Sequence, residues 1–465
     1  MKLPIINLFT VLLACTVQFT ASAQNNQAVT TTLSLKQAQD YAIKNNAGSR
    51  NAVLDMEIAR KKIWETKAMG MPQVNAQANY QHLFKVPEMS LGGITVLKSD
   101  LPDGAPVMSE DIGNAVYLGY QAMPPIQLGV KNNTTLDITV SQLIFSGEYI
   151  VGLQATKIFY LMTEQKQAKT EIDLKEFVAN WYATALLLER NLEVMKKSLD
   201  NTKKTLSDMQ QMYKQGLIEN TDVDQLEFVS LSLTNGVNSM SRQLDYTMDV
   251  MKFQLGMPFD ENIILTDQLE SFADNINLET IVASQFNINN NLDYQILANS
   301  EAISRLNLRR EQSTFLPNLA AVYRHSEKMK KPEFDFNPKD VFQISMNIPI
   351  FSSGMRNVKV QQRELELQQV INIRNNAANG LQLENMNARN NISTAYEKYV
   401  NDKRNIELTK RIYDKTLIRF NEGLASSKDI SDNLAQYLNA QNSLYSSIFS
   451  LISAKNKLDK LNNNL

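Results

Sequence analysis

The sequence predicts a mainly α-helical protein that also carries β-strands of the kind that line a membrane. Three observations point there. Gly and Pro number only 16 and 12 in 465 residues, well below their ordinary shares of about 7% and 5%. Four short segments alternate apolar and polar residues with a period of two, the pattern of strands with one apolar face. The chain also repeats itself, with helix, two strands and a long helical hairpin occurring twice in the same order, as in a duplicated supersecondary unit.

The N-terminus reads as an export signal over residues 1–23. Lys2 precedes the apolar stretch Leu3–Val17, and Ala21-Ser22-Ala23 forms an A-x-A cleavage site before Gln24. Cys15 follows Leu12-Leu13-Ala14, a weak likeness to a lipoprotein signal; plain secretion is the simpler reading. Beyond Gln24 no apolar run reaches the ~20 residues of a membrane helix. Any membrane crossing must therefore use β-strands closed into a barrel.

Composition excludes several functions. Lys+Arg 47 against Asp+Glu 49 gives a net charge of −2, so no basic field exists to hold nucleic acid. One Cys and two His leave no Cys-based zinc site and make a His-rich metal centre a poor reading. No nucleophile–base cluster emerges, so no enzyme activity, metal or cofactor is expected. His82 and His325 are read as exposed strand or loop residues, Trp64 and Trp181 as packing residues on helices, and Met195 and Met240 as core filler.

The repeat sets the boundaries. Leu143-Ile144-Phe145-Ser146-Gly147 matches Pro349-Ile350-Phe351-Ser352-Ser353-Gly354, and Tyr213-Lys214-Gln215-Gly216-Leu217 matches Phe420-Asn421-Glu422-Gly423-Leu424. Asp222-Val223 and Asp429-Ile430 keep the same spacing. Repeat 1 covers 24–257, a linker about 258–275, and repeat 2 covers 276–465. Each opens with a helix, about Leu35–Gly70 or Leu278–Thr314, which ends before Pro72 or Pro317.

Strands follow at about 73–85 and 134–146 in repeat 1, and at about 317–326 and 341–351 in repeat 2. Val74, Ala76, Ala78 and Tyr80 alternate with Asn75, Gln77, Asn79 and Gln81; Phe342, Ile344, Met346 and Ile348 alternate with Gln343, Ser345 and Asn347. In an exported chain without membrane helices, such strands fit a barrel wall with lipid outside and water inside. Between the first two strands, about 86–133, Pro87, Gly92-Gly93, Pro102, Gly104, Pro106, Gly113 and Pro124-Pro125 mark a loop. Since the other strand ends meet helices, this loop belongs at the extracellular mouth.

Hairpin helices are expected at about 148–214 and 221–256, then 355–421 and 428–462. In the first, Leu174, Val178, Trp181, Ala185, Leu188, Leu192, Met195, Leu199, Thr202, Leu206, Met209 and Tyr213 recur at spacings of four and three, a heptad seam. Gly216 and Gly423 supply tight helix–helix turns.

This order of elements resembles the TolC-like outer-membrane efflux proteins over about Leu33–Leu461. The doubled helix–Pro–strand joints, the two strand–helix joints at Gly147 and Gly354, and the two Gly-x5-Asp-[Val/Ile] tips carry the resemblance. It implies a homotrimer in the Gram-negative outer membrane, with twelve strands in one barrel and twelve helices extending as a tunnel into the periplasm. It implies a passive duct of a tripartite efflux or type I secretion system, partnered by a periplasmic adaptor and an inner-membrane pump.

For the tips it implies adaptor docking at Tyr213, Gly216, Leu217, Asp222, Val223, Phe420, Gly423, Leu424 and Ile430. It also implies an acidic gate ring from Asp429 and Asp432, whose plainer reading is acids favoured at a helix N-terminus. Where the family braces its closed tip with Tyr and Arg, this chain has Phe420 and Ala425, which cannot make those bonds. The rival reading is an exported coiled-coil interaction protein without a channel. It explains the heptads but not the strands.

Overall fold

The computed structural model describes residues 30–89, 93–98, 117–122, 126–127, 129–274, 276–283, 285–331 and 335–465. The export signal with Cys15, and Pro102, Gly104, Pro106 and Gly113 of the inserted loop, lie outside the described residues.

In chain order the elements are β1 (Thr30–Leu33), α1 (Leu35–Asn45), α2 (Ala47–Met69), β2 (Gln73–His82), β3 (Glu88–Met89), β4 (Gly93–Lys98), β5 (Tyr117–Ala122), β6 (Ile126–Gln127), β7 (Asn132–Phe145), α3 (Gly147–Lys214) and α4 (Asn220–Leu255). Then follow β8 (Asn262–Leu265), α5 (Leu269–Asp274), α6 (Leu278–Ala283), α7 (Leu292–Ser313), β9 (Asn318–Lys328), β10 (Asp340–Asn347), α8 (Met355–Asn421) and α9 (Ser427–Leu461). Among the described residues, no helix is long and apolar enough to cross a membrane.

The first helix of each repeat is broken rather than continuous. Asn46 adopts an extended conformation between α1 and α2, and its side-chain amide donates to the Gln254 carbonyl over 2.8 Å. In repeat 2, Asn287 and Asn291 accept from the backbone N–H groups of Asn289 and Tyr294. Short amide side chains compete with the helix ladder for backbone groups, so this Asn-rich stretch makes a 3-10 turn between α6 and α7.

Two compact units divide the chain. One contains residues 30–47, 174–282 and 391–457. Its largest core gathers Leu33, Ala38, Val178, Tyr182, Leu255, Ile263, Leu269, Ile392, Ile448 and Leu451. The α3 seam contributes Leu174, Val178, Leu192, Leu199 and Met209 to buried positions, but the buried face is wider than the heptad predicts. Tyr182 is fully buried because β1 and β8, a parallel pair, cover a second side of the helix. Its hydroxyl lies 2.9 Å from Asp267 Oδ2 and 3.0 Å from the Leu33 carbonyl, and the same Asp267 oxygen accepts from the Leu35 N–H over 2.7 Å. Burial pushes the Tyr182 phenol up to about 12.

The other unit contains residues 48–173, 283–390 and 458–465. Its sheet has four antiparallel strands in the order β10-β9-β7-β2. The register pairs Val74 with Val140, Ala76 with Ile138, Ile344 with Ala321 and Met346 with Leu319, so the apolar residues of all four strands share one face. That face is exposed in the chain: Val74, Phe342, Ile344 and Met346 are each more than half exposed. The polar face carries Asn75, Gln77, Asp137, Thr139, Arg324, Gln343 and Ser345. Among the described residues, β2 and β10 pair on one side only. Part of the inserted loop forms nested antiparallel pairs, β3 with β6 and β4 with β5.

The strand–helix joints depend on close approach. A Cβ on Gly147 would stand 2.8 Å from Ser313 Cβ, so only glycine admits the end of α7 there. At the second joint Ser353 and Gly354 both take positive φ. Farther along, Glu301 is buried, accepts from Arg305 over 2.6 Å and forms an ion pair with Arg374 at 2.5 Å, giving a carboxylate that would be costly to bury alone its necessary partners. Trp64, expected to pack, is 61% exposed on α2.

Candidate functional site

The two hairpin tips lie in the same unit and share one local design. Each first helix ends in a left-handed glycine, Gly216 or Gly423, both at φ +73°. At the first tip the Leu217 N–H donates to the Met212 carbonyl over 3.0 Å and Gly216 to Tyr213 over 2.8 Å. At the second, Leu424 donates to Arg419 over 2.8 Å and Gly423 to Phe420 over 2.9 Å. A six-residue closure around a left-handed glycine is how the last helical carbonyls are satisfied before the chain reverses. A Cβ at either position would meet no atom within 4 Å, so backbone conformation alone demands glycine.

Each tip presents apolar side chains outward and buries others. Leu217 and Leu424 are more than 60% exposed and Tyr213 is 45% exposed. Val223 and Ile430, at the start of the returning helices, are buried. Val223 packs with Met209 and Leu226, and Ile430 with Leu199, Leu233, Tyr413 and Leu434. Phe420 packs against both clusters, so the second tip lends an aromatic ring to the core of the first.

The equivalent aspartates do different things. Asp429 sits in a capping box. Its Oδ2 accepts from the Ser426 N–H over 2.9 Å and from the Ser426 hydroxyl over 2.8 Å, while its own N–H donates to Ser426 Oγ over 3.2 Å. The Ser426 backbone N–H, then its hydroxyl, hold this carboxyl below the usual carboxylate range. Asp432, one turn on, is exposed.

Asp222 instead reaches across to the other hairpin, where its Oδ1 accepts from the buried Ser427 hydroxyl over 2.5 Å. Arg419 adds a bond to the Leu424 carbonyl over 3.2 Å. The chain thus joins its two tips through a carboxylate and a hydroxyl next to the positions Phe420 and Ala425. Sequence reasoning missed Ser427; the Ser426-x-x-Asp429 spacing was a readable capping signal, but nothing local announces a bond across 205 residues.

No protein-family model and no curated protein sequence matches the chain. Solved structures do. The chain is similar to CusC, described for conformational changes accompanying folding and transmembrane channel formation, at 15% identity and a TM-score of 0.70, covering 92% of this chain and 91% of that one. It is similar to the Campylobacter jejuni CmeC outer membrane channel at 16% identity and a TM-score of 0.68, covering 93% and 86%. It is also similar to the open state of the Neisseria gonorrhoeae MtrE outer membrane channel, at 14% identity and a TM-score of 0.68, covering 92% and 88%. The fold is therefore the TolC-like one that outer-membrane channels adopt.

Proposed function

We propose that the mature chain is one subunit of a trimeric outer-membrane duct that conducts cargo passively between the periplasm and the outside. The observation that carries this reading is the four-stranded sheet. It exposes one apolar face and one polar face, and it ends in two edge strands, β2 and β10, each paired on one side only among the described residues. In hydrocarbon such edges would leave backbone groups unsatisfied at several kcal/mol each. Closure with further copies removes them, and three copies supply twelve strands. The channel fold of CusC, CmeC and MtrE supports the same reading.

In this reading the duct performs no chemistry. An inner-membrane pump supplies energy, and a periplasmic adaptor docks on the exposed Tyr213, Leu217 and Leu424 of the tips. Gly216 and Gly423 shape that surface, while Val223, Ile430 and Phe420 hold it from below. Asp429 and Asp432 gather about the three-fold axis as the acidic gate. Like charges brought that close repel unless they bind cations or are separated by water, so the ring attracts cations. The Asp222–Ser427 bond braces the tip in place of the family's Tyr and Arg.

Fractionation tests the reading. The protein should sediment with outer membranes and run on unheated gels as an SDS-resistant oligomer that heating converts to a 52.7 kDa-class band, less its signal. Recovery only as a soluble periplasmic monomer would overturn it.

A further inference from the structure

The chain's only two histidines make the same constellation in different strands. In β2, Tyr80 donates to Asn132 Oδ1 over 3.3 Å, and His82 Nδ1 lies 2.6 Å from that oxygen. In β9, Tyr323 donates to Asp340 Oδ1 over 2.7 Å, and His325 Nδ1 lies 2.7 Å from it. Each time a Tyr-x-His pair on one strand shares a single oxygen of the residue opposite the histidine, Asn132 or Asp340.

Both clamps sit on the apolar face, at the strand ends farthest from the helices. Val74, Ala76 and Ala78 lead to Tyr80 and His82; Leu319 and Ala321 lead to Tyr323 and His325; Phe342, Ile344 and Met346 lead back from Asp340. Charge begins immediately beyond, with Lys339 on Glu327 over 2.8 Å and Lys328 on Asp335 over 2.6 Å. Phe84, edge-on to His82 with centroids 5.1 Å apart, is 94% exposed. At the opposite end of the same strands Phe145, Phe315 and Phe351 are exposed.

An aromatic ring with a polar tip, left open on an apolar surface, has both halves satisfied only where hydrocarbon meets water. The span agrees. From Phe342 in β10 to Ile350 just past its end every second residue is apolar, about 26 Å at the ~3.3 Å per residue of a strand. Tilted as barrel strands are, this covers about 20 Å, and the aromatic rows at both ends bring it to the ~25 Å band of outer-membrane barrels.

Resting on the outer-membrane reading, we propose that the two Tyr-x-His clamps contact the headgroup boundary of the outer leaflet and fix the depth of the barrel there. The occupant of this surface is lipid.

Single-tryptophan depth measurement tests it. In a Trp64→Phe, Trp181→Phe background, the full chain carries Tyr80→Trp, Tyr323→Trp or Ile344→Trp and is reconstituted in phosphatidylcholine vesicles brominated at shallow or deep acyl positions. The tryptophans at 80 and 323 should be quenched more by shallow bromines, and that at 344 more by deep ones. Replacing Tyr80, His82, Tyr323 and His325 by Ala in the Ile344→Trp chain should shift its ratio of shallow to deep quenching. Deep or absent quenching at 80 and 323, with deep quenching kept at 344, would overturn the proposal. So would an unshifted ratio in the quadruple variant, which would make the clamps hairpin pins only. Absence of quenching at 344 itself would instead contradict the outer-membrane reading on which the proposal rests.

Discussion

Ser427→Ala should loosen the contact between the two hairpin tips. In the structure the Ser427 hydroxyl is buried and donates to Asp222 Oδ1, joining α9 to α4 across the two hairpins. A hydrogen bond to a charged group contributes about 1.5–3 kcal/mol. Asp222 is only half-buried and regains water when its partner is lost, which places the effect at the low end, about 1.5 kcal/mol per chain. Where opening parts the hairpins, that is roughly a tenfold shift toward the open state for each chain that moves.

Single-channel recording in planar bilayers reads the shift as lengthened open dwell times, and Ser427→Thr, which keeps the hydroxyl, should behave as wild type. A double-mutant cycle isolates the bond: Asp222→Ala added to Ser427→Ala should change little more. Wild-type dwell times in Ser427→Ala, or full additivity in the double variant, would refute the reasoning, provided the oligomer itself remains intact.

Four other variants follow from the same structure. Gly256 has φ +73° and its Cβ would lie 2.6 Å from the Asn45 carbonyl oxygen, so Gly256→Ala should cost more than the ~1–2 kcal/mol of a left-handed L-residue. Gly152→Ala, inside α3 with open space around it, should stabilise by about 0.8–1 kcal/mol; thermal melts followed by circular dichroism should move in opposite directions. Burial holds the Tyr182 phenol near 12 against an ordinary value of 10, so the folded chain keeps a proton that the unfolded chain loses. Its stability contribution is complete below pH 10 and falls between pH 10 and 12 by up to about 2.7 kcal/mol; in Tyr182→Phe, denaturant melts should lack that alkaline loss. Asp429→Asn with Asp432→Asn should weaken block of conductance by divalent or trivalent cations while leaving assembly intact, and unchanged block would leave both as ordinary helix-start acids.

What was legible in the sequence was whatever repeats locally. Period-two alternation around Ile344 and Ile138, the three–four spacing along α3, and the breakers at Pro72, Gly216, Pro317 and Gly423 each depend on near neighbours, so they survive without a fold. The breaks at Asn46 and Asn287–Asn291 were hidden because apolar spacing runs through them while the deciding contacts come from amide side chains. Tyr182 was passed over because the heptad accounts for one buried face, and the second is made by β1 and β8, far away in sequence. Ser427 and the Tyr-x-His clamps were illegible for the same reason: each is defined by a partner on another strand or hairpin.

The central claim, that β2 of one copy meets β10 of the next, is tested most directly by paired cysteines. Asn75, Gln77 and Asn79 of β2 share the polar face with Gln343 and Ser345 of β10. Within one chain β9 and β7 stand between them, three strand spacings or about 14 Å, beyond the ~7 Å Cα limit for a disulfide. A chain carrying one cysteine from each set can therefore bridge only to a neighbour. Oxidation of outer membranes should give, for at least one pairing, a covalent ladder that ends at three chains. Monomer alone across all six pairings, or a ladder continuing past three, would contradict the account.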